Sequence, residues 1–189
     1  NSLQSFDLVQ NASWTDTLTG ISNREYFNIR STQILEEAEA EGIGCTLLFI
    51  DVDNFKFVND KHGHKIGDEL LKTLADRIST IVDCVVSERG LPDGLFARLS
   101  GDEFAIMLRC QPGSGTITEI SEKILALFAE GFEVLDKAYP VTASIGIAVY
   151  PEDARNLPEL VANADAAMYQ AKSQGKNGSA RYSRSLHEK

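Results

Sequence analysis

The sequence is short of the residues that staple a chain or bind metals through sulfur and imidazole. Its 189 residues include three cysteines, Cys45, Cys84 and Cys110, and three histidines. The cysteines are odd in number, widely spaced, and form no Cys-x-x-Cys. That argues for reduced thiols in a cytoplasmic compartment, against a disulfide framework or a zinc site. Positive charge is also scarce: 18 Lys plus Arg stand against 28 Asp plus Glu, a net charge of −10. Such a balance disfavours a nucleic-acid groove or an anionic membrane surface as the main partner. It still admits a nucleotide, met by metals and a few local lysines. No apolar run approaches the roughly 20 residues of a membrane span, and no signal peptide, internal repeat or low-complexity tract is evident. The first residue is Asn1 rather than Met, so the chain reads as a fragment. Membrane anchoring through missing segments stays open.

What is present suits one domain with a proper core: the length is adequate and the hydrophobic share is 43%. The most informative stretch is Arg98-Leu99-Ser100-Gly101-Asp102-Glu103-Phe104. Phe96-Ala97 precede it and Ala105-Ile106-Met107-Leu108 follow, so two apolar runs flank a small-residue turn, the pattern of a β-hairpin. Asp102 and Glu103 then sit at the tip. Acidic residues are common at turns, so the tip alone leaves a structural and a functional reading open.

A second acidic strand end tilts that balance. The run Cys45–Ile50 has strand length and ends in Asp51-Val52-Asp53. Residues two apart on a strand face the same way, so Asp51 and Asp53 share a face. If this strand lies beside the hairpin, Asp51 and Asp102 converge. Oxygen-rich sites with open positions suit Mg²⁺ and its phosphate ligands, and paired metals serve phosphoryl and nucleotidyl transfer.

Around these two features the pattern predicts further elements. Asn23 caps a helix running to about Ala40, with Phe27, Ile34, Leu35 and Ala38 as its stripe. A short helix spans Asn54 to about Lys61, and Asp53 stands where its N-cap belongs, which competes with metal binding. Lys56 lies in that helix's first turn, poorly placed for the helix dipole but well placed for a phosphate. Gly63–Asp68 is a glycine-bounded turn opening a helix with Ile66, Leu70, Leu74, Ile78 and Ile81 buried. Residues 83–95 form a loop. A helix runs from about 116 to Ala129, and Val141–Val149 forms a strand. Gly146 inside that strand suggests close approach of another backbone. The last helix carries Leu157, Val161, Ala164, Met168 and Ala171 inward and finishes with Lys172 and Lys176, four apart on one face. The order β-α-α-β-β-α-β favours an α/β (α+β) layered domain with a central, mostly antiparallel five-stranded sheet flanked by helices.

The motifs together resemble the GGDEF domain, a family that makes cyclic di-GMP from two GTP molecules. Asp16-Thr-Leu-Thr-Gly20-Ile-Ser-Asn23-Arg24 resembles its opening motif. Asp51 to Asp60, Gly63-His64 and Gly67-Asp68 resemble the middle ones. Ser100 to Phe104 resembles the signature hairpin, with Ser where the family has Gly. Ser144-Ile-Gly146 and Ala164 to Asn177 resemble the closing ones. The motifs keep the family's order over residues 13–183. The resemblance implies the palm-like nucleotidyl cyclase fold over residues 16–183, between a helical lead-in or linker (1–15) and a tail or linker (184–189).

It implies that Asp51, the Val52 carbonyl and Asp102 hold two Mg²⁺ (or Mn²⁺) per active site, with Glu103 as a further ligand or proton acceptor. It implies that Asn59 and Asp68 read guanine, that Lys56, Lys172 and Lys176 contact phosphates, and that Gly101 lets the backbone approach the nucleotide. Catalysis would need a homodimer, with an upstream sensor domain and, in some architectures, a downstream phosphodiesterase domain. A second implication also stands: a catalytically inactive GTP-binding domain that regulates an attached phosphodiesterase or another partner. The family's inhibitory product site, Arg-x-x-Asp before the hairpin, falls here on Leu91 and Gly94, which lack the needed side chains. Arg89 and Asp93 are near but out of register. If the Ser100 position required a positive φ, the serine would be strained by roughly 1 kcal/mol.

Overall fold

The computed structural model describes residues 14–184. The lead-in expected over 1–13 and the tail from 185 onward lie outside the described residues. Asn23 does cap the first helix, α1 (Arg24–Glu41): its Oδ1 accepts from the Tyr26 amide at 2.9 Å. Gly42, left-handed at φ 68°, ends it. β1 (Cys45–Asp53) follows, and every one of its residues is buried, which is why it reads as a continuous apolar run. The chain continues through α2 (Phe55–His62), α3 (His64–Glu88), β2 (Leu95–Ser100), β3 (Glu103–Arg109), α4 (Thr116–Ala126), β4 (Phe132–Val134), β5 (Lys137–Tyr139), β6 (Thr142–Tyr150), α5 (Leu157–Ser173) and β7 (Gly178–Arg181).

Five strands form the central sheet in the order β2-β3-β1-β6-β7, and β4 and β5 pair as a separate hairpin. β1 is antiparallel to both β3 and β6, β2 is antiparallel to β3, and β7 lies parallel to β6. The sheet is therefore mostly antiparallel, as the pattern predicts. Alternation along β1 divides the core. Leu48, Ile50 and Val52 join Leu70, Leu74 and Ile78 of α3 on one side. Leu47 and Phe49 join Phe27 and Ile34 of α1 and Leu160 and Ala164 of α5 on the other.

Gly146 explains how α5 can lie so close to the sheet. A Cβ there would sit 2.1 Å from the Ala164 carbonyl oxygen and 2.3 Å from the Met168 amide nitrogen. The close backbone approach expected at this glycine is thus met by the helix carrying the candidate phosphate-binding lysine Lys172.

Several expectations need correction. α3 runs to Glu88, further than the loop assigned from residue 83, because Val82, Val85 and Val86 extend its buried stripe. α4 stops at Ala126, short of Ala129. Asp53 is the last residue of β1 and not an N-cap; Asn54, at φ 65°, takes the cap position without a side-chain bond. α5 ends at Ser173, so Lys176 lies beyond the helix at φ 62° and does not share a helical face with Lys172. Ser100 has no positive φ; that conformation falls on Gly101, at φ 41°, so the serine carries no such strain. β7 and the β4–β5 hairpin are short, half-exposed segments that the hydrophobic pattern does not disclose, and the pairing of β7 also depends on a partner strand more than thirty residues earlier.

Candidate functional site

The register of β1 against β3 places Asp51 opposite Glu103. The Val52 amide donates to the Asp102 carbonyl at 3.3 Å, which pins the hairpin tip to the end of β1. Asp51 and Asp102 are thereby brought together. Burial first, then the neighbouring Asp51 charge and a hydrogen bond with Asp51, together raise the Asp102 carboxyl to about 7. Lys172 reaches in from α5 and donates to Asp51 Oδ2. Burial pulls the Lys172 ammonium down, but its bond to Asp51 and the charges of Asp51, Asp53 and Asp102 outweigh that and raise it. Two carboxyls that repel one another beside a single ammonium form a site short of positive charge.

This has a consequence for the metal-free protein. The Asp102 carboxyl has an ordinary value of 3.8 in the unfolded chain and about 7 in the folded one. Between those values the unfolded chain releases the proton while the folded chain keeps it. Stability is therefore unaffected below about pH 4, falls as pH rises toward 7, and levels off above. In EDTA-treated protein, Asp102→Asn is expected to raise the thermal midpoint above that of the unsubstituted protein at about pH 8 and to match it at about pH 4. A gap of equal size at both pH values, in a fluorimetric melt, would contradict the carboxyl pair.

The hairpin tip is held by groups the sequence pattern does not connect. Arg98 Nε donates to the Gly101 carbonyl at 2.7 Å, and Arg98 Nη1 donates to Asp16 Oδ1 at 3.2 Å. Asp16 in turn accepts from the Thr19 amide and hydroxyl. Burial raises the Asp16 carboxyl, and the Thr19 bonds with the Arg98 charge more than reverse that, leaving it lowered. Arg24 Nε donates to the Leu99 carbonyl at 3.1 Å. The opening motif is thus structural support for the hairpin. The only sequence signal for this is Arg98 itself, a cation in an apolar strand. Ser100 Oγ donates to Glu103 Oε2 at 3.1 Å, a bond that glycine cannot make.

The second group of residues lies on α2 and α3. Lys56 is exposed in the first turn of α2, and Asp68 is exposed near the start of α3. Asn59 is half-buried, and its Oδ1 is buried without a hydrogen-bond partner. That carboxamide fills the notch left by Gly67, where a Cβ would lie 1.8 Å from Oδ1. Oδ1 is thereby turned away from solvent, and the exposed Asp68 carboxylate is the acceptor open to an incoming polar group. Lys176 is exposed in the turn after α5. Among the described residues, Leu91 packs against the core and Gly94 faces Leu108 and Val82, while Arg89 is committed to Glu119 and the Ser114 carbonyl. No group of three or more His, Cys, Asp or Glu side chains gathers as a metal cluster among the described residues. Cys45 and Cys110 are buried free thiols, both raised above the ordinary thiol range mainly by burial, and Cys84 is exposed.

A mostly antiparallel five-stranded sheet flanked by helices, with acids where β1 meets a hairpin tip, is the palm-like cyclase fold. The family model described as "Diguanylate cyclase, GGDEF domain" matches residues 13–178. The biofilm architecture maintenance protein MbaA of Vibrio cholerae is 38% identical over 92% of this chain and 22% of its own length. The diguanylate cyclase TpbB of Pseudomonas aeruginosa is 38% identical over 85% of this chain and 35% of its own length. The solved GGDEF domain of TpbB superposes with a TM-score of 0.82 at 32% identity, over 92% of this chain and 97% of that one. The coiled coil and GGDEF domain of DgcB from Caulobacter crescentus, in complex with c-di-GMP, superposes at 0.81 with 25% identity, over 94% and 90%. The chain belongs to the GGDEF diguanylate cyclase family. It spans between about a fifth and a third of the length of these full-length relatives. Among the described residues no helix is long and apolar enough to cross a membrane.

Proposed function

We propose that this domain, residues 16–183, is an active diguanylate cyclase that condenses two GTP into cyclic di-GMP and pyrophosphate. The observation that carries the reading is the Asp51–Asp102 carboxyl pair at the meeting of β1 and the hairpin, where burial and mutual repulsion create a demand for added positive charge. Two side-chain carboxylates fit Mg²⁺ or Mn²⁺, which keep several non-protein oxygens as ligands, better than they fit a metal enclosed wholly by protein. Asp51, Asp102 and the Val52 carbonyl would hold two such ions. When bound, these neutralise the triphosphate and lower the pKa of the 3′-hydroxyl.

The chain's own residues do the rest. Lys172 keeps two further N–H donors beyond the one given to Asp51, enough to take a phosphate oxygen as well. Lys56 and Lys176 supply charge around the same triphosphate. Lysine at 176 acts as a point charge without the fork an arginine would offer. Glu103, oriented by Ser100, serves as a further ligand or accepts the hydroxyl proton. Gly101, with open space where a side chain would project, lets the nucleotide approach the tip. Asp68 accepts from the N1–H and N2–H₂ edge of guanine, and Asn59 completes the recognition. Each domain offers one such site, so two GTP molecules meet only when two domains face each other about a two-fold axis. An upstream sensor domain can then control activity through dimerisation. MucR of Pseudomonas aeruginosa, 37% identical over 86% of this chain, is a bifunctional diguanylate cyclase and cyclic di-GMP phosphodiesterase, and a following phosphodiesterase domain is compatible with this architecture.

The Gly67 notch gives a direct test of guanine reading. Gly67→Ala is expected to expel the Asn59 carboxamide and weaken GTP binding about tenfold, the worth of one hydrogen bond to a polar partner. The thermal midpoint should hold or rise, because alanine favours the helix. Unchanged GTP affinity, by isothermal titration, would remove Asn59 from the site. Cyclic di-GMP is expected not to inhibit the reaction through the loop before β2, since Leu91 and Gly94 replace the binding pair and Arg89 is engaged elsewhere. Tight product binding that Arg89→Ala abolishes would contradict this. The function itself is tested by incubating a dimerised form with GTP and Mg²⁺ and seeking cyclic di-GMP by mass spectrometry.

A further inference from the structure

Asp53 is a buried carboxylate, 2% exposed, that the proposed chemistry leaves unused. Both of its oxygens accept hydrogen bonds from protein. Oδ2 accepts from Thr142 Oγ1 at 2.7 Å and from the Asn177 amide at 3.1 Å, and Oδ1 accepts from Ser144 Oγ at 2.8 Å. With its oxygens engaged in this way, Asp53 faces protein donors and not the Asp51–Asp102 pair. The same bonds also join the end of β1 to the start of β6 and to the segment that follows α5. That segment turns sharply: Gly175, Lys176 and Asn177 have φ of 115°, 62° and 46°, and Lys176 is of a type that seldom adopts the left-handed region, whereas Asn177 tolerates it better. The turn is closed on the helix side by the Lys176 amide donating to the Ala171 carbonyl at 3.1 Å. On its far side, where β7 pairs with β6 from Gly178 opposite Ser144, the amide of Asn177 is held by Asp53.

We propose that Asp53 is a positioning residue for triphosphate binding. It clamps the left-handed turn after α5 and so fixes Lys176 relative to the Asp51–Asp102 pair two residues and one strand away. The inference rests on the phosphate role proposed for Lys176. The clamp is a charge-assisted bond between backbone and carboxylate, the kind strong enough to hold a sharp turn. It also explains why Asp53 is an acid although it is not a helix cap. Thr142, directly opposite Asp53 in the β1–β6 register, and Ser144 orient the carboxylate for the one donor that cannot rotate, the Asn177 amide.

The test compares GTP with GMP as probes, by isothermal titration in Ca²⁺ so that no turnover occurs. Asp53→Ala is expected to weaken GTP about tenfold and GMP less than about twofold, because only the phosphate-binding side is released. Placed in a Lys176→Ala background, Asp53→Ala should cost little more, since the residue it positions is already gone. Asp53→Asn, which keeps an oxygen for Asn177 and an amide that Ser144 Oγ can accept from, should restore GTP affinity to within about threefold. Should Asp53→Ala not fold, Thr142→Val loosens the same carboxylate and should produce the same selective loss for GTP, though smaller. Equal losses for GTP and GMP, or full additivity with Lys176→Ala, would overturn the positioning role. GTP affinity that Lys176→Ala leaves unchanged would instead overturn the phosphate role and this inference with it.

Discussion

Asp102→Asn is expected to lower cyclic di-GMP formation by about 10³-fold while leaving the domain folded. The carboxamide keeps the shape of the hairpin tip but removes the charge that the proposed metals would need. Metal stabilisation of a transferring phosphoryl group is worth several kcal/mol, and about 1.4 kcal/mol corresponds to tenfold in rate. The backbone bond from the Val52 amide to the Asp102 carbonyl does not depend on the side chain, so the hairpin stays attached to β1. The metal-free variant should even be the more stable at neutral pH, because the repulsion between Asp51 and Asp102 is gone. Loss of activity with gain of apo stability separates a charge needed for function from one needed for the fold. An initial-rate assay with saturating GTP and Mg²⁺ checks the first half, and residual activity within about tenfold of the unsubstituted domain would contradict it.

Gly146→Ala is expected to cost about 3 kcal/mol of stability or more, the upper end for overpacking a well-filled core. The added carbon would meet the Ala164 carbonyl oxygen at 2.1 Å and the Met168 amide and Cα at 2.3 and 2.8 Å. All three are backbone atoms of α5, so no rotamer change relieves the clash. The helix must lift from β6, and with it Lys172 must move away from Asp51. Against a total stability of about 5–15 kcal/mol for an ordinary domain, such a loss is a large fraction. Activity should fall even below the denaturation midpoint, because the lysine is displaced before the domain unfolds. Urea denaturation measures the effect. A cost below about 1 kcal/mol would show that α5 is free to shift.

Much of this was legible in the sequence, for identifiable reasons. β1 and the β2–β3 hairpin are runs of apolar residues that stop abruptly at acids, so both the strands and the carboxylates they deliver stand out. Asn23 stands before the periodic stripe of α1, and its cap is local, three residues long. The features that were not legible depend on partners far away in the chain. Asp53 resembles an N-cap by position, yet its donors lie 89, 91 and 124 residues further on. The Asp16–Arg98 pair spans 82 residues. Lys176 continues the periodicity of α5 in sequence, but Gly175 at φ 115° has already turned the backbone away. The positive φ that would have strained Ser100 falls one residue later, on Gly101. In each case local pattern fixed the residue type, and tertiary hydrogen bonding decided its role.

The central claim is that this chain turns over GTP at a site shared by two facing domains. The most direct measurement joins the chain to a constitutive dimeriser, supplies GTP and Mg²⁺, and quantifies cyclic di-GMP by mass spectrometry beside the undimerised chain. The account predicts product that rises steeply with dimerisation and disappears with Asp102→Asn. No product from the dimer, together with GTP binding that Asp68→Ala abolishes, would contradict it and leave a domain that binds GTP only to regulate what it is attached to.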